Sequence, residues 1–296
     1  MDGAIPIIVN PAARSTKAAA RLEHLRKLNP APVLHLTGGV GDATKIAEKL
    51  AREGHRLIVA AGGDGTVNEV LQGLCKVNAE RPNVDDHAIL GVLPMGTMNV
   101  FSLELGMNST DLASCWSAIT SGRRRDVDLW KANQQYFVQL AGVGFDAQVV
   151  QLTTWEMKKK LGPLSYVISS LKAWFQNKPV LTVHIEGKPP VPASVVFVGS
   201  GVHYGGPFRL FRSARNDDGL LDVLIFQQLG YWEIAQMLRA VLIDGYEKSL
   251  DLDYFQVRGL RVECAERPVP FQLDGELCGE SPVDFRPAGF PLRVAV

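Results

Sequence analysis

The stretch from Leu57 to Val70, LIVAAGGDGTVNEV, constrains the fold more than any other part of the chain. Leu57 to Ala61 form a short apolar run suited to a strand covered on both faces. Gly62, Gly63 and Gly65 then permit positive φ and close approach of a ligand to the backbone. Thr66 and Glu69 have the S/T-x-x-E spacing of a capping box, which predicts a helix starting at Thr66 with its amides and positive dipole end beside the loop. Strand, glycine turn and helix in that order make part of a βαβ unit, and the turn is shaped to hold an anion such as phosphate. A glycine-rich turn with no ligand is the alternative, disfavoured by three glycines accompanied by an acid and a hydroxyl.

The same alternation runs through the first part of the chain. Ile5 to Val9, Val33 to Leu36 and Ala88 to Leu93 read as further short strands, and Ala43, Ile46, Ala47 and Leu50 mark one helical face at i, i+3, i+4 and i+7. A mostly parallel sheet follows, with ligands expected beyond the carboxyl ends of its strands. Four strands end there in turn residues: Asn10-Pro11, Thr37-Gly38-Gly39, Gly62 to Gly65, and Pro94 to Thr97. From about Val127 the pattern changes to strands such as Tyr136 to Leu140, Val180 to Ile185, Ser194 to Val198, Leu220 to Phe226 and Leu260 to Cys264. That half is expected to be mainly antiparallel β, with helical interruptions at Thr153 to Phe175 and Tyr231 to Ile243. The expected division is an α/β nucleotide-binding domain over 1–126, a β-rich domain over 127–286, and a last segment, 287–296, returning to the first domain.

Composition bounds the function. The 296 residues carry 31 basic and 31 acidic side chains, so no global field points to nucleic acid as a partner. Cys75, Cys115, Cys264 and Cys278 are scattered without a C-x-x-C pair, which speaks against zinc or a disulfide framework and for a reducing, cytoplasmic setting. No apolar stretch approaches the ~18 residues of a spanning helix, which leaves a soluble protein able to touch a membrane surface. Trp155, Lys158, Lys159, Lys160, Tyr166, Trp174 and Phe175 form a basic and aromatic mixture suited to such contact, and core packing beneath a solvated lysine run suits them equally. Arg123 to Arg125 read as an exposed linker end.

The common nucleotide motifs do not fit. Asn68 stands where G-x-G-x-x-G needs its third glycine, and no G-x-x-x-x-G-K-[ST] occurs. GGDGTVNEV instead resembles the signature of the diacylglycerol kinase catalytic domain family, which includes bacterial lipid kinases, sphingosine kinases and ceramide kinases. The GGDG core is shared with NAD kinases and 6-phosphofructokinases. Further resemblances follow in the family's order: Asn10-Pro11; Thr37 with Asp42-Ala43; Pro94 to Phe101 as P-x-G-T-x-N-x-F; Gly142 to Ala147 as G-x-G-F-D-A; Asp217 to Val223 as DDGLLDV; and Asp274-Gly275-Glu276 as the late D-G-E.

The resemblance implies an ATP-dependent lipid kinase with an NAD kinase-like or phosphofructokinase-like first domain. Phosphoryl transfer asks a protein to position the donor, neutralise charge and orient the acceptor hydroxyl. Asn10, Thr37, Gly62, Gly63, Asp64, Gly65, Thr66, Asn68, Glu69, Gly96 and Thr97 would form the ATP site, with Asp64 suited to a bridging Mg²⁺. Glu69 is read equally well as closing its own helix cap. Asp274 is expected as general base toward the lipid hydroxyl, with Glu276 assisting; an Asp-Gly hairpin turn is the bland reading of the same dipeptide. Asp218, with the carbonyls of Arg215 and Leu220, would hold a structural Mg²⁺, although Phe211-Arg212-Ser213 departs from the family's proline-containing stretch. The implied partner is a diacylglycerol-like lipid presented at the inner membrane surface, and a homodimer is compatible with it. An NAD kinase-like enzyme is the rival reading, disfavoured because Asn68-Glu69 stands just after GGDGT and the D-G-E comes late. A catalytically silent lipid-binding module is disfavoured by the intact Asp64, Thr97 and Asp274.

Overall fold

The computed structural model describes residues 4–11, 16–107, 111–153, 180–228 and 253–296, with 157, 169 and 230 as single positions. The helical segments expected over 153–175 and 231–243, including the basic and aromatic stretch, lie outside the described residues apart from 153, 157 and 169. The chain divides into two compact units, Met1–Leu129 with Gly289–Val296, and Trp130–Ala288.

The first unit is an α/β domain. It contains β1 (Pro6–Val9), α1 (Thr16–Arg26), β2 (Val33–Leu36), α2 (Asp42–Arg52), β3 (Leu57–Gly62), α3 (Asp64–Asn78), β4 (Ile89–Pro94), α4 (Val100–Glu104), α5 (Leu112–Thr120) and β5 (Arg124–Val127). Its six-stranded sheet runs β2-β1-β3-β4, then the chain's last strand, Leu292–Ala295, then β5. The β1–β2, β1–β3 and β3–β4 pairs are parallel, and the last strand is parallel to β4 but antiparallel to β5. Arg124 and Arg125, expected with Arg123 as a linker end, are thus part of an edge strand, because their backbone pairs with the returning chain. β1 and β3 are buried along their whole length and read as continuous apolar runs, as strands covered on both faces do. Since β1 lies between β2 and β3, the connections leave this seam in opposite directions, which makes it the switch point where parallel sheets take ligands. Trp116 and Ile119 of α5 pack with Ile7, Val59 and Leu93 in the core, and Trp116 Nε1 donates to the Pro30 carbonyl at 3.1 Å.

The second unit is an antiparallel β sandwich. Its strands are β6 (Trp130–Ala132), β7 (Gln135–Phe137), β8 (Leu140–Gly144), β9 (Leu181–Ile185), β10 (Val191–Ala193), β11 (Val195–Gly199), β12 (Leu221–Phe226), β13 (Asp253–Val257), β14 (Leu260–Cys264), β15 (Pro270–Leu273), β16 (Glu276–Glu280) and β17 (Val283–Pro287), with α6 (Phe145–Leu152) after β8. One sheet has the order β10-β9-β14-β17-β6-β7 and the other β13-β12-β11-β8-β15-β16. Strand parity explains the sequence of β12: Leu221, Val223 and Ile225 enter the sandwich core, while Leu224 and Phe226 pack on the opposite face with Phe145 and Val149 of α6. The single strand expected over Tyr136 to Leu140 is in fact divided between β7 and β8.

Candidate active site

The sequence-predicted residues of the first unit gather at the carboxyl edge of the parallel sheet. Asn10 follows β1, Thr37 follows β2, Gly62 ends β3, and Gly96 and Thr97 follow β4. The Thr37 amide donates to the Val9 carbonyl at 3.0 Å and the Met95 amide to the Gly62 carbonyl at 2.9 Å, which ties neighbouring loops together. Thr37 is buried, whereas Asn10, Gly96 and Thr97 are exposed. The loops after β3 and β4 touch backbone to backbone: a Cβ on Gly96 would stand 2.3 Å from the Gly63 Cα and 2.8 Å from Asn99 Oδ1. Only glycine allows this approach. A Cβ on Gly62 would likewise stand 2.4 Å from Thr66 Oγ1, so the threonine hydroxyl lies over the end of β3.

The start of α3 differs from the capping-box expectation. The helix begins at Asp64, with Gly63 in extended conformation as its N-cap, two residues before Thr66. The Val67 amide already bonds to the Gly63 carbonyl at 3.1 Å. An acid in the first helical turn is favoured by the dipole, which lets Asp64 take this place. Glu69 does not close its own helix. Its carboxylate accepts the Gly41 amide at 2.9 Å and the Ala43 amide at 3.1 Å, and the Thr44 hydroxyl donates to the Glu69 carbonyl at 2.9 Å. Glu69 therefore caps α2, whose own N-cap, Gly41, has no side chain to do so. Asn68 accepts from Gln72 Nε2 at 3.2 Å.

Burial pushes the Asp64 carboxyl above the usual carboxylate range, while the backbone amides of Val100, Phe101 and Asn99, at the start of α4, pull the other way. Asn99, at φ 50°, does not cap α4 with its side chain. Instead its Oδ1 accepts the Gly96 amide at 2.9 Å and its Nδ2 donates to the Gly96 carbonyl at 3.0 Å. Asn99 lies within the P-x-G-T-x-N-x-F motif, and the signal for its bracketing of Gly96 is an Asn directly before a short helix.

In the second unit, Asp274 and Gly275 are the two central residues of the β15–β16 hairpin. Both have positive φ, 49° and 88°, as the tight turn matching strand twist requires. Asp274 Oδ1 accepts the Leu140 amide at 2.9 Å and the Gln139 amide at 3.0 Å, and Oδ2 accepts the Val138 amide at 3.3 Å. These amides cannot then serve a sheet ladder, which is why β7 and β8 are separate strands. The Asp274 amide also donates to the Leu140 carbonyl at 2.8 Å. Glu276, at the start of β16, is exposed. In the turn before β12, exposed Asp218 accepts the Leu220 amide at 3.0 Å, and Arg215 Nε bonds to Asp217 at 3.0 Å. Asp222, fully buried in β12, accepts from the Tyr254 hydroxyl and from Gln256 Nε2.

Magnesium fits these groups unequally. No group of three or more His, Cys, Asp or Glu side chains among the described residues could hold a metal ion. Asp64 brings a single carboxyl, held toward its protonated form by burial, to the start of α3. The exposed Asp218 carboxylate in a turn with backbone carbonyls offers the oxygen donors that a hard cation takes.

Residues 4–132 match the diacylglycerol kinase catalytic domain, and residues 139–296 match the YegS C-terminal NAD kinase beta sandwich-like domain. A Chromohalobacter salexigens protein named "probable lipid kinase YegS-like" is 31% identical over 294 residues, spanning 98% of this chain and 91% of its own. The Bacillus subtilis diacylglycerol kinase is 28% identical over 253 residues, 85% of this chain and 81% of that one. A crystal structure of a Bacillus anthracis diacylglycerol kinase superposes with a TM-score of 0.78 at 25% identity, covering 99% of this chain and 96% of that one. An Archaeoglobus fulgidus NAD kinase solved with ATP shares the fold, with a TM-score of 0.52 at 12% identity over 98% of this chain and 93% of that one.

Proposed function

Since the chain belongs to the diacylglycerol kinase catalytic domain family, we propose that it transfers the γ-phosphate of ATP to the hydroxyl of a diacylglycerol-like lipid. One observation carries this reading for the donor: the backbone contact of Gly63 with Gly96 at the carboxyl edge, beside the β1–β3 switch point. Loops fused without side chains between them leave amides free to approach a phosphate chain closely, and α3 begins there on a glycine N-cap. Asn10, Thr37, Gly62 to Thr66, Gly96 and Thr97 are the proposed nucleotide residues. Magnesium supplies charge neutralisation along the phosphates and arrives as the cation of the nucleotide. A second cation is proposed at Asp218, with the carbonyls of Arg215 and Leu220.

Asp274 is the proposed general base. Its three amide contacts support the reading by holding the carboxylate in one orientation, as a positioned base requires. Glu276, two residues on, is the proposed assistant. The lipid would be taken from a membrane surface, and no helix among the described residues is long and apolar enough to cross one.

The reading is tested with labelled ATP and Mg²⁺ and a panel of diacylglycerol, phosphatidylglycerol, ceramide and sphingosine in mixed micelles, with NAD as the soluble control. Transfer to a lipid is expected; transfer to NAD alone would overturn it. In the same assay Asp274→Asn is expected to lower kcat by at least ~100-fold, the scale of a lost general base, while ATP binding and the unfolding temperature change little. Retained turnover would remove Asp274 as the base.

A further inference from the structure

We propose that Gln272 and Tyr204 are positioning residues for Asp274, through which the loop 200–211 holds the carboxylate where a base is needed. The proposal rests on the reading of Asp274 as general base. Its geometry starts from strand parity in β15. Phe271 and Leu273 enter the sandwich core, so Gln272 faces the other side of its sheet, where it is 1% exposed. In register across that face stand Phe197 of β11, Gly142 of β8 and Gln272 of β15. Tyr204, from the loop after β11, bridges the two ends of this row. Its ring meets Phe197 edge-on at 5.2 Å, and its hydroxyl accepts from Gln272 Nε2 at 3.1 Å while donating to the Ala141 carbonyl at 3.1 Å. Gly142, in the middle, puts no side chain in the way.

The other end of the Gln272 side-chain amide reaches the turn. Its Oε1 accepts the Gly275 amide at 2.8 Å, and because that donor requires an oxygen, the nitrogen is directed to Tyr204. The Asp274 amide donates to the Leu140 carbonyl. Both amides of the turn therefore have partners inside the protein, and neither residue can rotate without stranding one of them. This matters at Asp274, whose φ of 49° is a conformation that residues with a side chain seldom adopt. A second tie runs to the same loop: Gln139, whose own amide binds the Asp274 carboxylate, donates from its Nε2 to the His203 carbonyl at 3.1 Å. The loop thus grips the surroundings of the carboxylate on two sides, at Gln139 and at Gly275.

The experiment compares Tyr204→Phe and Gln272→Leu with the unaltered protein in the lipid phosphorylation assay, each alone and combined with Asp274→Asn. Tyr204→Phe removes a single oxygen and keeps a ring against Phe197, so it carries the test if Gln272→Leu fails to fold. In each variant kcat is expected to fall about tenfold, the equivalent of one buried hydrogen bond. Calorimetric titration with a non-hydrolysable ATP analogue should show unchanged affinity. In the Asp274→Asn background the same substitutions should barely alter the residual turnover, because the group they position is gone. Hydrogen exchange at the Gly275 amide should quicken in both variants, more in Gln272→Leu. Full kcat in Tyr204→Phe beside an inactive Asp274→Asn, or losses that multiply in the double variants, would overturn the positioning role. Turnover retained in Asp274→Asn is a different failure: it removes the base itself, and the proposal with it. If the unaltered protein phosphorylates no lipid, the exchange experiment decides alone, and a Gly275 amide equally protected in Tyr204→Phe refutes the clamp.

Discussion

At the scale of single residues, the site is built from groups whose neighbours have changed their chemistry, and Cys278 reports this most directly. Burial first, and then the charge of Asp274, push its thiol up to about 12. An unfolded cysteine ionises near ~8.5, so between that value and about 12 the folded chain keeps a proton that the unfolded chain has released. The folded state binds more protons across this window, and its stability falls as pH rises through it. Below the window the contribution is fully present. In a Cys264→Ser background, where Cys75 and Cys115 are buried, iodoacetamide at pH 8 to 9 is expected to leave Cys278 unmodified. Adding Asp274→Asn removes one of the charges that raise the thiol, so alkylation should begin at a lower pH. Equal rates in the two proteins would mean that Asp274 carries no charge beside Cys278.

At the scale of elements, packing decides more than local preference. Gly73 lies within α3, where alanine would raise helix propensity by ~1 kcal/mol. A Cβ there would stand 2.3 Å from the Thr44 carbonyl and 2.8 Å from the Ala47 Cβ of α2. Overpacking of this kind costs ~1–3 kcal/mol, so Gly73→Ala is expected to lower the urea midpoint without changing the slope. A raised midpoint would show that the two helices part freely. The same contest explains what could be read from the sequence. β1, β3 and β12 were legible because strands buried on both faces write an unbroken apolar run. The Thr66–Glu69 spacing was misleading, since a carboxylate one turn into α3 satisfies the capping pattern while reaching α2 instead. The Asp274–Gly275 turn was legible from its dipeptide. Its clamp on residues 138–140 was not, because contacts 134 to 136 positions away leave no local trace.

At the scale of the whole molecule, the order of elements along the chain and their order in space part company at the last strand. Leu292, Val294 and Ala295 are completely buried between β4 and β5. Losing buried Leu and Val side chains costs on the order of 2–5 kcal/mol each, a large share of the ~5–15 kcal/mol that holds a domain folded. A chain ending at Ala288 is therefore expected to lose cooperative unfolding of the first unit and binding of the ATP analogue, as read by calorimetry. Undiminished binding would show that the sheet closes without this strand. The lipid kinase family was legible from motifs, which lie in loops, and the return of residues 287–296 to the first domain was expected; the place of that strand between β4 and β5 was not, because four residues of ordinary strand sequence announce no partner. On a ribosome the consequence is one of timing. The glycine turn emerges early, but its sheet waits for residues more than two hundred positions later, and the sandwich between them can fold in the interval. A nascent chain stalled before that strand would hold a finished insert inside an unfinished host.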